Sequence, residues 1–339
     1  MKKKNNKKLL IHGGLPKTGT STLQWQLYNN RDALKHAGVM YPSICGGVGN
    51  LLRRLVRNGG LTNSKNPKEH IDAKTVIEQI HQEFFTSNCK YLILSDEALS
   101  NFSIDEWRTL GQLFDWDSID VELAFTIREP YSFTLSVIQQ CLKSGDKNLD
   151  ALYSNPPLYS IDRVTDRSAF AFGSTKKSLI PFESLCSSNL TFTDEFLLMT
   201  GIHLSSTVKL KDYKNERAKN TSMSQQAAWI LDAIRQKEIP SDIEVSMWKN
   251  KSQGLCRKIN GDKFTVPRAC AERIRLYSKN EANTFNKILG DNFYELNKYE
   301  SKIGLHCEDI RLDKALRDSI ADIFYDQIAS DIYYSVSHS

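Results

Sequence analysis

The segment that most constrains this chain of 339 residues is His12-Gly13-Gly14-Leu15-Pro16-Lys17-Thr18-Gly19-Thr20-Ser21-Thr22. A short apolar run precedes it and an amphipathic stretch follows it, so the order predicts a strand, a loop and a helix. Gly14 and Gly19 have the spacing of a nucleotide phosphate loop, but Thr20 stands where nucleoside triphosphatases carry lysine. The lysine of this chain is Lys17, which we expect to reach the end of a phosphate chain from the loop.

A turn from a strand into a helix is suited to anion binding. Backbone N–H groups at the start of a helix have no partner within the helix, and the helix end carries partial positive charge. We therefore expect phosphate oxygens to be bound by Pro16, Lys17, Thr18, Gly19, Thr20, Ser21 and Thr22.

Composition predicts a globular protein and disfavours several functional classes. Hydrophobic residues make up 40% of the sequence, which is ample for a sizeable core. The net charge of +5 comes largely from lysines near the N-terminus, so we expect residues 1–7 to be a disordered basic tail and nucleic acid not to be a partner. The cysteines form no CxxC pair, and the histidines have no metal-ligand spacing. We expect reduced thiols, a cytoplasmic location, no metal and no transmembrane segment.

Strand and helix patterns alternate along the first two thirds of the chain. Predicted strands cover residues 8–12, 91–94, 121–127 and 178–182, and predicted helices cover 21–37, 51–56, 73–85, 103–114, 130–142, 193–200, 224–237, 266–289 and 312–334. This alternation predicts an α/β fold: a P-loop-like, doubly wound parallel sheet flanked by helices, with a helical C-terminal part.

The predicted domain spans residues 8–305, and a C-terminal helix spans 306–339. Two polar segments within the domain, 43–67 and 146–172, are candidate substrate loops; we expect 43–67 to be mobile and 148–160 to be irregular. The apolar stripe of the C-terminal helix favours docking onto the body of the protein. A homodimer contact or a peripheral membrane contact is the alternative.

A second anion site is predicted where the strand over 121–127 ends. Arg128 follows this strand directly, and Ser136 lies about two helical turns later. The planar guanidinium of arginine can bind two phosphate oxygens at once. The alternative is structural: Arg128 forms a salt bridge with Glu129 or Glu122, and Ser136 is ordinary helix surface.

The order PKTGTST followed by LQ closely resembles the 5′-phosphosulfate loop of sulfotransferases that use 3′-phosphoadenosine-5′-phosphosulfate (PAPS). Arg128 and Ser136 match the 3′-phosphate element of that family. The segment RAKNTS, which begins at Arg217, resembles a late basic loop that closes over the nucleotide in bacterial members. The resemblance implies PAPS as the donor, adenosine 3′,5′-bisphosphate as the product, no metal, and an acceptor hydroxyl on a carbohydrate or glycolipid.

In such a reaction Lys17 would stabilise charge on the oxygen that bridges the sulfuryl group and the departing nucleotide. An acceptor hydroxyl also needs a general base. Glu97 is the first candidate because it follows the strand over 91–94, and His36 and Asp96 are the others. Helix capping or a surface pair is the structural alternative for Asp96 and Glu97.

Two other functions are compatible with the sequence. An apolar strand that ends in Asp96-Glu97 is also typical of the magnesium site of ATPases, which would make the chain a P-loop NTPase or a small-molecule kinase. The displaced lysine argues against this. A non-catalytic nucleotide-binding or assembly protein is the third hypothesis, and the presence of Lys17, Arg128 and Ser136 weighs against it.

Overall fold

The structure is a computed structural model that describes residues 7–45, 49–62, 70–114, 116, 119–173, 175–212, 222–256, 258–290, 292–301, 306 and 314–337. The chain divides into two compact units. The first comprises residues 1–129, 160–218 and 284–293, and the second comprises 130–159, 219–283 and 294–339. Each unit is thus assembled from three separate parts of the sequence.

The described strands form one parallel sheet and one hairpin. They are β1 (Lys8–Gly14), β2 (Val39–Met40), β3 (Gly60–Thr62), β4 (His70–Asp72), β5 (Tyr91–Ser95), β6 (Asp120–Ile127) and β7 (Lys176–Pro181). The parallel sheet has the order β2-β5-β1-β6-β7, while β3 and β4 pair antiparallel. The sheet, with helices on its flanks, confirms the predicted α/β fold class.

The described helices account for most of the remaining described residues. They are α1 (Thr20–Asn29), α2 (Arg31–His36), α3 (Leu51–Asn58), α4 (Ala73–Thr86), α5 (Ile104–Leu113), α6 (Pro130–Ser144), α7 (Leu149–Ser154), α8 (Ile161–Phe172), α9 (Phe182–Ser187), α10 (Phe192–Met199), α11 (Gln225–Arg235), α12 (Val245–Cys256), α13 (Arg268–Leu289), α14 (Lys298–Ser301) and α15 (Lys314–Ser337). None of the described helices is long and apolar enough to span a bilayer.

Strand β1 lies at the centre of the parallel sheet. Its residues Leu9, Leu10 and Ile11 are all buried, because helices cover both faces of such a sheet. In the register, His12 lies beside Ser95 of β5 on one side and Ala124 of β6 on the other. The carboxyl ends of β1, β5 and β6 therefore meet at one edge of the sheet, which is where doubly wound folds bind ligands.

The second unit is helical in its described part. Leu142, Leu231, Ile234 and Trp248 belong to its buried core. Helix α15 packs against α11 and α12, and Ile328 of its apolar stripe is fully buried there. The stripe of the C-terminal helix therefore docks on its own chain, as the sequence favours, although other stripe residues, such as Ile323, are exposed.

The predicted helix over 21–37 is two helices, because the chain breaks at Asn30. The Asn30 amide donates to the carbonyl oxygens of Gln26 (2.9 Å) and Lys211 (3.1 Å), and its side-chain oxygen accepts from Lys211 N (2.8 Å). Asparagine side chains compete in this way with helical backbone bonds. The pattern of apolar residues continued across the break, so periodicity alone could not show it.

Both candidate substrate loops contain regular structure that the sequence did not predict. The described part of 43–67 contains α3, as expected, but also β3, which pairs with β4; residues 46–48 and 63–69 lie outside the described residues. The irregular structure expected over 148–160 is wrong for α7, whose N-terminus is capped by Asn148 Oδ1 accepting from Ala151 N (2.9 Å). Helix α8 occupies most of the remainder of 146–172. Helix α12 was also not predicted.

Candidate functional site

The loop between β1 and α1 leaves the sheet edge in an unusual backbone conformation. Leu15 N donates to Thr126 O of the neighbouring strand (3.0 Å), which fixes where the loop begins. Lys17 has φ 66° and Gly19, the N-cap of α1, has φ 78°. The N-cap residue Gly19 has no side chain with which to cap the first turn of α1, and a helix start without such a cap suits an anion. The predicted turn from a strand into a helix is therefore present, and phosphate binding by this loop stays a prediction.

Three threonine hydroxyls surround Gly14 at the end of β1. A Cβ atom at Gly14 would lie 2.0 Å from Thr20 Oγ1, 2.6 Å from Thr126 Oγ1 and 2.9 Å from Thr18 Oγ1, so only glycine fits. The Thr20 hydroxyl is buried and has no hydrogen-bond partner within the described part of the chain. An unsatisfied buried hydroxyl is costly. This hydroxyl faces Gly14 at the end of β1, and the missing side chain at Gly14 leaves the room that it occupies.

His12 lies directly beneath this loop, with a fully buried imidazole ring. Its Nδ1 is 2.8 Å from Ser95 Oγ and its Nε2 is 3.1 Å from Thr126 Oγ1. The ring also meets Phe196 edge-on, with 4.9 Å between the ring centroids. Burial lowers the pKa of His12 to about 3, so the imidazole is neutral at physiological pH.

Two carboxylates follow β5 at the same edge of the sheet. Asp96 is fully buried and accepts hydrogen bonds from Arg53 N (2.9 Å) and Ala98 N (3.0 Å). Burial raises the pKa of Glu97, which is only half-buried, while the positive charge of Lys17 lowers it. Asp96 therefore has the geometry of a cap, and Glu97 is the carboxylate that lies within electrostatic reach of the loop lysine.

Arg128 follows β6 and turns back to the phosphate loop. Its Nη1 donates to Lys17 O (3.2 Å), and its guanidinium lies 5.5 Å from the centre of the Phe182 ring. Next to it, Glu129 N donates to Glu183 Oε1 (2.9 Å). The guanidinium thus lies beside the loop and holds the carbonyl of its lysine, an arrangement that the sequence did not indicate.

The structure does not bring His36 together with these residues. His36 is exposed at the end of α2, with Nδ1 2.7 Å from Asp32 O. Gly38 O accepts from Tyr91 N, at the opposite end of β5 from Glu97. A strand advances about 3.3 Å per residue, so β5 from Tyr91 to Ser95 alone separates its two ends by roughly 13 Å.

The remaining predicted site residues are placed as follows. Pro16 and Thr22 are half-buried and Ser21 is exposed, so the Ser21 and Thr22 side chains of the first turn are accessible, whereas Thr20 is buried. The Thr18 hydroxyl is buried within the protein and donates to Leu15 O (2.6 Å). Ser136 lies on α6 in the second unit, and its pairing with Arg128 stays a prediction. Arg217 lies outside the described residues.

Sequence reasoning missed the residues that support the loop from below. Ser95 and Thr126 end two neighbouring strands, and Gln24 of α1 donates to Ser95 O (2.9 Å). The sequence signal was a polar residue, His12, that directly continues an apolar strand, together with Thr126 at the end of another apolar strand. Buried polar side chains must find partners, so such positions mark a network.

Comparison with known proteins gives only distant structural likeness. No family model matches the chain, and no curated protein matches it significantly. The chain is similar in structure to a sulfotransferase from Alicyclobacillus acidocaldarius, with 9% sequence identity and a TM-score of 0.42, covering 88% of this chain and 100% of that one. A likeness at this level does not show a shared function.

Proposed function

We propose that this chain transfers a sulfuryl group from PAPS to an acceptor hydroxyl. The observation that carries the proposal is the position of Lys17 in the loop ahead of α1, from which its positive charge offsets part of the rise that burial causes in the pKa of Glu97. A cation that can stabilise a leaving group and a carboxylate that can accept a proton thus meet at the carboxyl edge of the sheet. Both are needed for transfer to a hydroxyl.

Each residue of the candidate site has a separate role in the proposed transfer. First-turn N–H groups of α1, with the hydroxyls of Ser21 and Thr22, would bind the 5′-phosphosulfate. The acceptor oxygen forms a bond to sulfur as the bond between sulfur and the bridging oxygen breaks. Lys17 stabilises the negative charge that grows on that bridging oxygen, and Glu97 takes the acceptor proton. Positioning and charge stabilisation supply most of the catalysis in such in-line transfers.

The 3′-phosphate is proposed to bind Arg128, with Ser136 and Arg217 as further ligands. Arg128 can contribute in two ways, because its guanidinium also holds Lys17 O. Arg128→Ala should therefore weaken donor binding both by removing a phosphate contact and by loosening the loop. Arg128→Lys keeps the charge but loses the planar fork, and it distinguishes charge from geometry.

The geometry of Asp96 disfavours the alternative of an ATPase-type magnesium site. Its two carboxylate oxygens accept backbone N–H groups from Arg53 and Ala98, one each. A carboxylate engaged in this way caps the following turn and is poorly placed to hold a solvated cation.

We further propose a carbohydrate or glycolipid hydroxyl as the acceptor and the cytoplasm as the location. Support for both comes from the sequence resemblance, and for the location also from the scattered cysteines. The half-buried position of Glu97 at the sheet edge is compatible with access by a hydroxyl group.

Calorimetry with adenosine 3′,5′-bisphosphate and with ATP plus magnesium tests the proposal. We expect the bisphosphate to bind much more tightly, because the predicted anion sites suit 5′ and 3′ groups. Transfer from labelled PAPS to a panel of acceptors should then be abolished by Lys17→Ala and retained by Lys74→Ala, which changes an exposed lysine on α4. Equal or tighter binding of ATP with magnesium would favour an NTPase.

A further inference from the structure

A continuous line of polar atoms runs from β5 through β1 and β6 into the phosphate loop. Ser95 Oγ contacts His12 Nδ1 (2.8 Å), and His12 Nε2 contacts Thr126 Oγ1 (3.1 Å). Thr126 Oγ1 contacts Thr18 Oγ1 (2.9 Å), which donates to Leu15 O (2.6 Å). All four side chains are at most 3% exposed, so water does not compete for these bonds.

Counting protons fixes the direction of every bond in this line, provided that the His12 ring is neutral. A carbonyl oxygen can only accept, so the single proton of the Thr18 hydroxyl goes to Leu15 O. The contact between Thr18 and Thr126 must then use the Thr126 proton. Thr126 Oγ1 has no proton left for His12, so it accepts one from His12 Nε2. His12 Nδ1, unprotonated in a neutral ring, accepts from Ser95 Oγ.

We propose that His12 is a positioning residue, the neutral, Nε2-protonated link in a one-way hydrogen-bond chain that holds the phosphate loop in its anion-binding shape. The proposal rests on the proposed function in one respect, that the loop binds the nucleotide. It assigns to His12 no contact with the donor and no part in proton transfer to the acceptor.

The loop needs such support because its backbone conformation is unfavourable. Among the described residues, Lys17 is the one non-glycine residue with a positive φ, and a side chain with a Cβ disfavours that region. Thr18 is held from below through its hydroxyl, and Arg128 holds Lys17 O from the side. Burial of His12 in an apolar strand keeps the ring uncharged, and this preserves the direction of the chain.

Three measurements on the full-length protein test the inference. Nitrogen-15 NMR of labelled histidine, with the His12 signal assigned by its loss in His12→Gln, identifies the tautomer. Hydrogen exchange of the peptide over residues 15–22, without ligand, reports how firmly the loop is held. Calorimetry with adenosine 3′,5′-bisphosphate reports donor affinity. The variants are Thr126→Val, which breaks the hydrogen-bond chain while keeping the shape of the side chain, and Thr126→Ser, which keeps the hydroxyl.

The matched control is Thr200→Val, the same change at a buried threonine of the first unit whose hydroxyl, within the described part of the chain, bonds to carbonyls of the preceding helix turn. We expect the Nε2–H tautomer, faster loop exchange and an affinity loss of about tenfold in Thr126→Val. Thr126→Ser and Thr200→Val should stay within about twofold of the parent protein. If Thr126→Val is too unstable to purify, Thr18→Val and Thr18→Ser make the same comparison one bond further along.

The two proposals fail in different ways. An Nδ1–H tautomer of His12, or equal hydrogen exchange of the loop in Thr126→Val and the parent protein, overturns the proposed hydrogen-bond chain, whether or not the protein binds the bisphosphate. Unchanged donor affinity in Thr126→Val, when the parent protein binds the bisphosphate, overturns its role in binding and leaves the proposed function standing. If the parent protein does not bind the bisphosphate but shows the expected tautomer and loop exchange, the proposed function is refuted and the hydrogen-bond chain remains as the support of the loop.

Discussion

Lowering the pH from 7 to 5 is expected to destabilise the sheet of the first unit through His12. The pKa of this histidine is lowered by burial from 6.5 to about 3 in the folded protein. Between these two values the unfolded chain binds a proton at position 12 that the folded protein does not. The contribution of His12 to the stability of the folded protein is therefore fully present above pH 6.5 and is lost as the pH falls toward 3.

The size of the effect follows from the two pKa values. At pH 5 the medium is 1.5 pH units below the ordinary value, and each unit corresponds to about 1.36 kcal/mol. The predicted loss between pH 7 and pH 5 is thus about 2 kcal/mol, a large part of the 5–15 kcal/mol typical of a folded domain. Asp96 and Glu97, whose pKa values are raised by burial, act in the opposite direction, because their protonated forms favour the folded state.

Urea titrations of the parent protein and of His12→Gln at pH 7 and pH 5 isolate the contribution of His12 to the free energy of unfolding, since both proteins contain Asp96 and Glu97. The unfolded fraction of the sheet is read by a brief hydrogen-exchange pulse at one fixed pH, on peptides from β1 and β6. The parent protein should lose about 2 kcal/mol more than His12→Gln between pH 7 and pH 5. His36→Gln, which changes an exposed ring, should behave as the parent protein does. Equal losses in parent and His12→Gln would refute a buried neutral His12.

Three further changes probe the site directly. Glu97→Gln should lower turnover by about 10²–10⁴ with little change in donor affinity, and unchanged turnover would exclude Glu97 as the base. Because burial raises the pKa of Glu97, acidification of the parent protein should reduce its activity at a pH above the ordinary pKa of a glutamate. Gly14→Ala should abolish donor binding in calorimetry, because the added methyl group would lie 2.0 Å from Thr20 Oγ1. Lys17→Gly should be about 1 kcal/mol more stable to urea than Lys17→Ala, because glycine tolerates φ 66°, yet both should be inactive with labelled PAPS.

The main features of the fold and the loop could be predicted from the sequence because they depend on local patterns. Short apolar runs followed by turn residues gave the central strands, and the capping box of Ser103 and Glu106 gave the start of α5. The loop was recognisable because its glycines, its lysine and its hydroxyl residues are consecutive. What the sequence could not give is the arrangement of the second unit, since its parts are separated by residues of the first.

The candidate base residues show where sequence reasoning reaches its limit. Asp96 and Glu97 are adjacent and chemically alike, so the pattern could not rank them by role. The structure separates them through burial: the Asp96 carboxylate accepts two backbone N–H groups, while Glu97 remains half-exposed and close to Lys17. His36 and Glu97 are both plausible bases in sequence terms, but the register of β5 places them at opposite ends of the sheet.

The loop and the residues that support it are distributed differently along the sequence, and this explains why only the loop could be predicted. The loop residues proposed to bind the phosphosulfate are consecutive, because a strand-to-helix turn presents one short stretch of backbone. Residues that hold the turn come from three strands, and they are far apart in sequence: the pairs of His12 with Ser95 and with Thr126 are separated by 83 and 114 positions. Each of them alone is an ordinary polar residue at a strand end. Their common role emerges only when the register aligns them and the count of protons allows a single direction of donation through the neutral His12 ring.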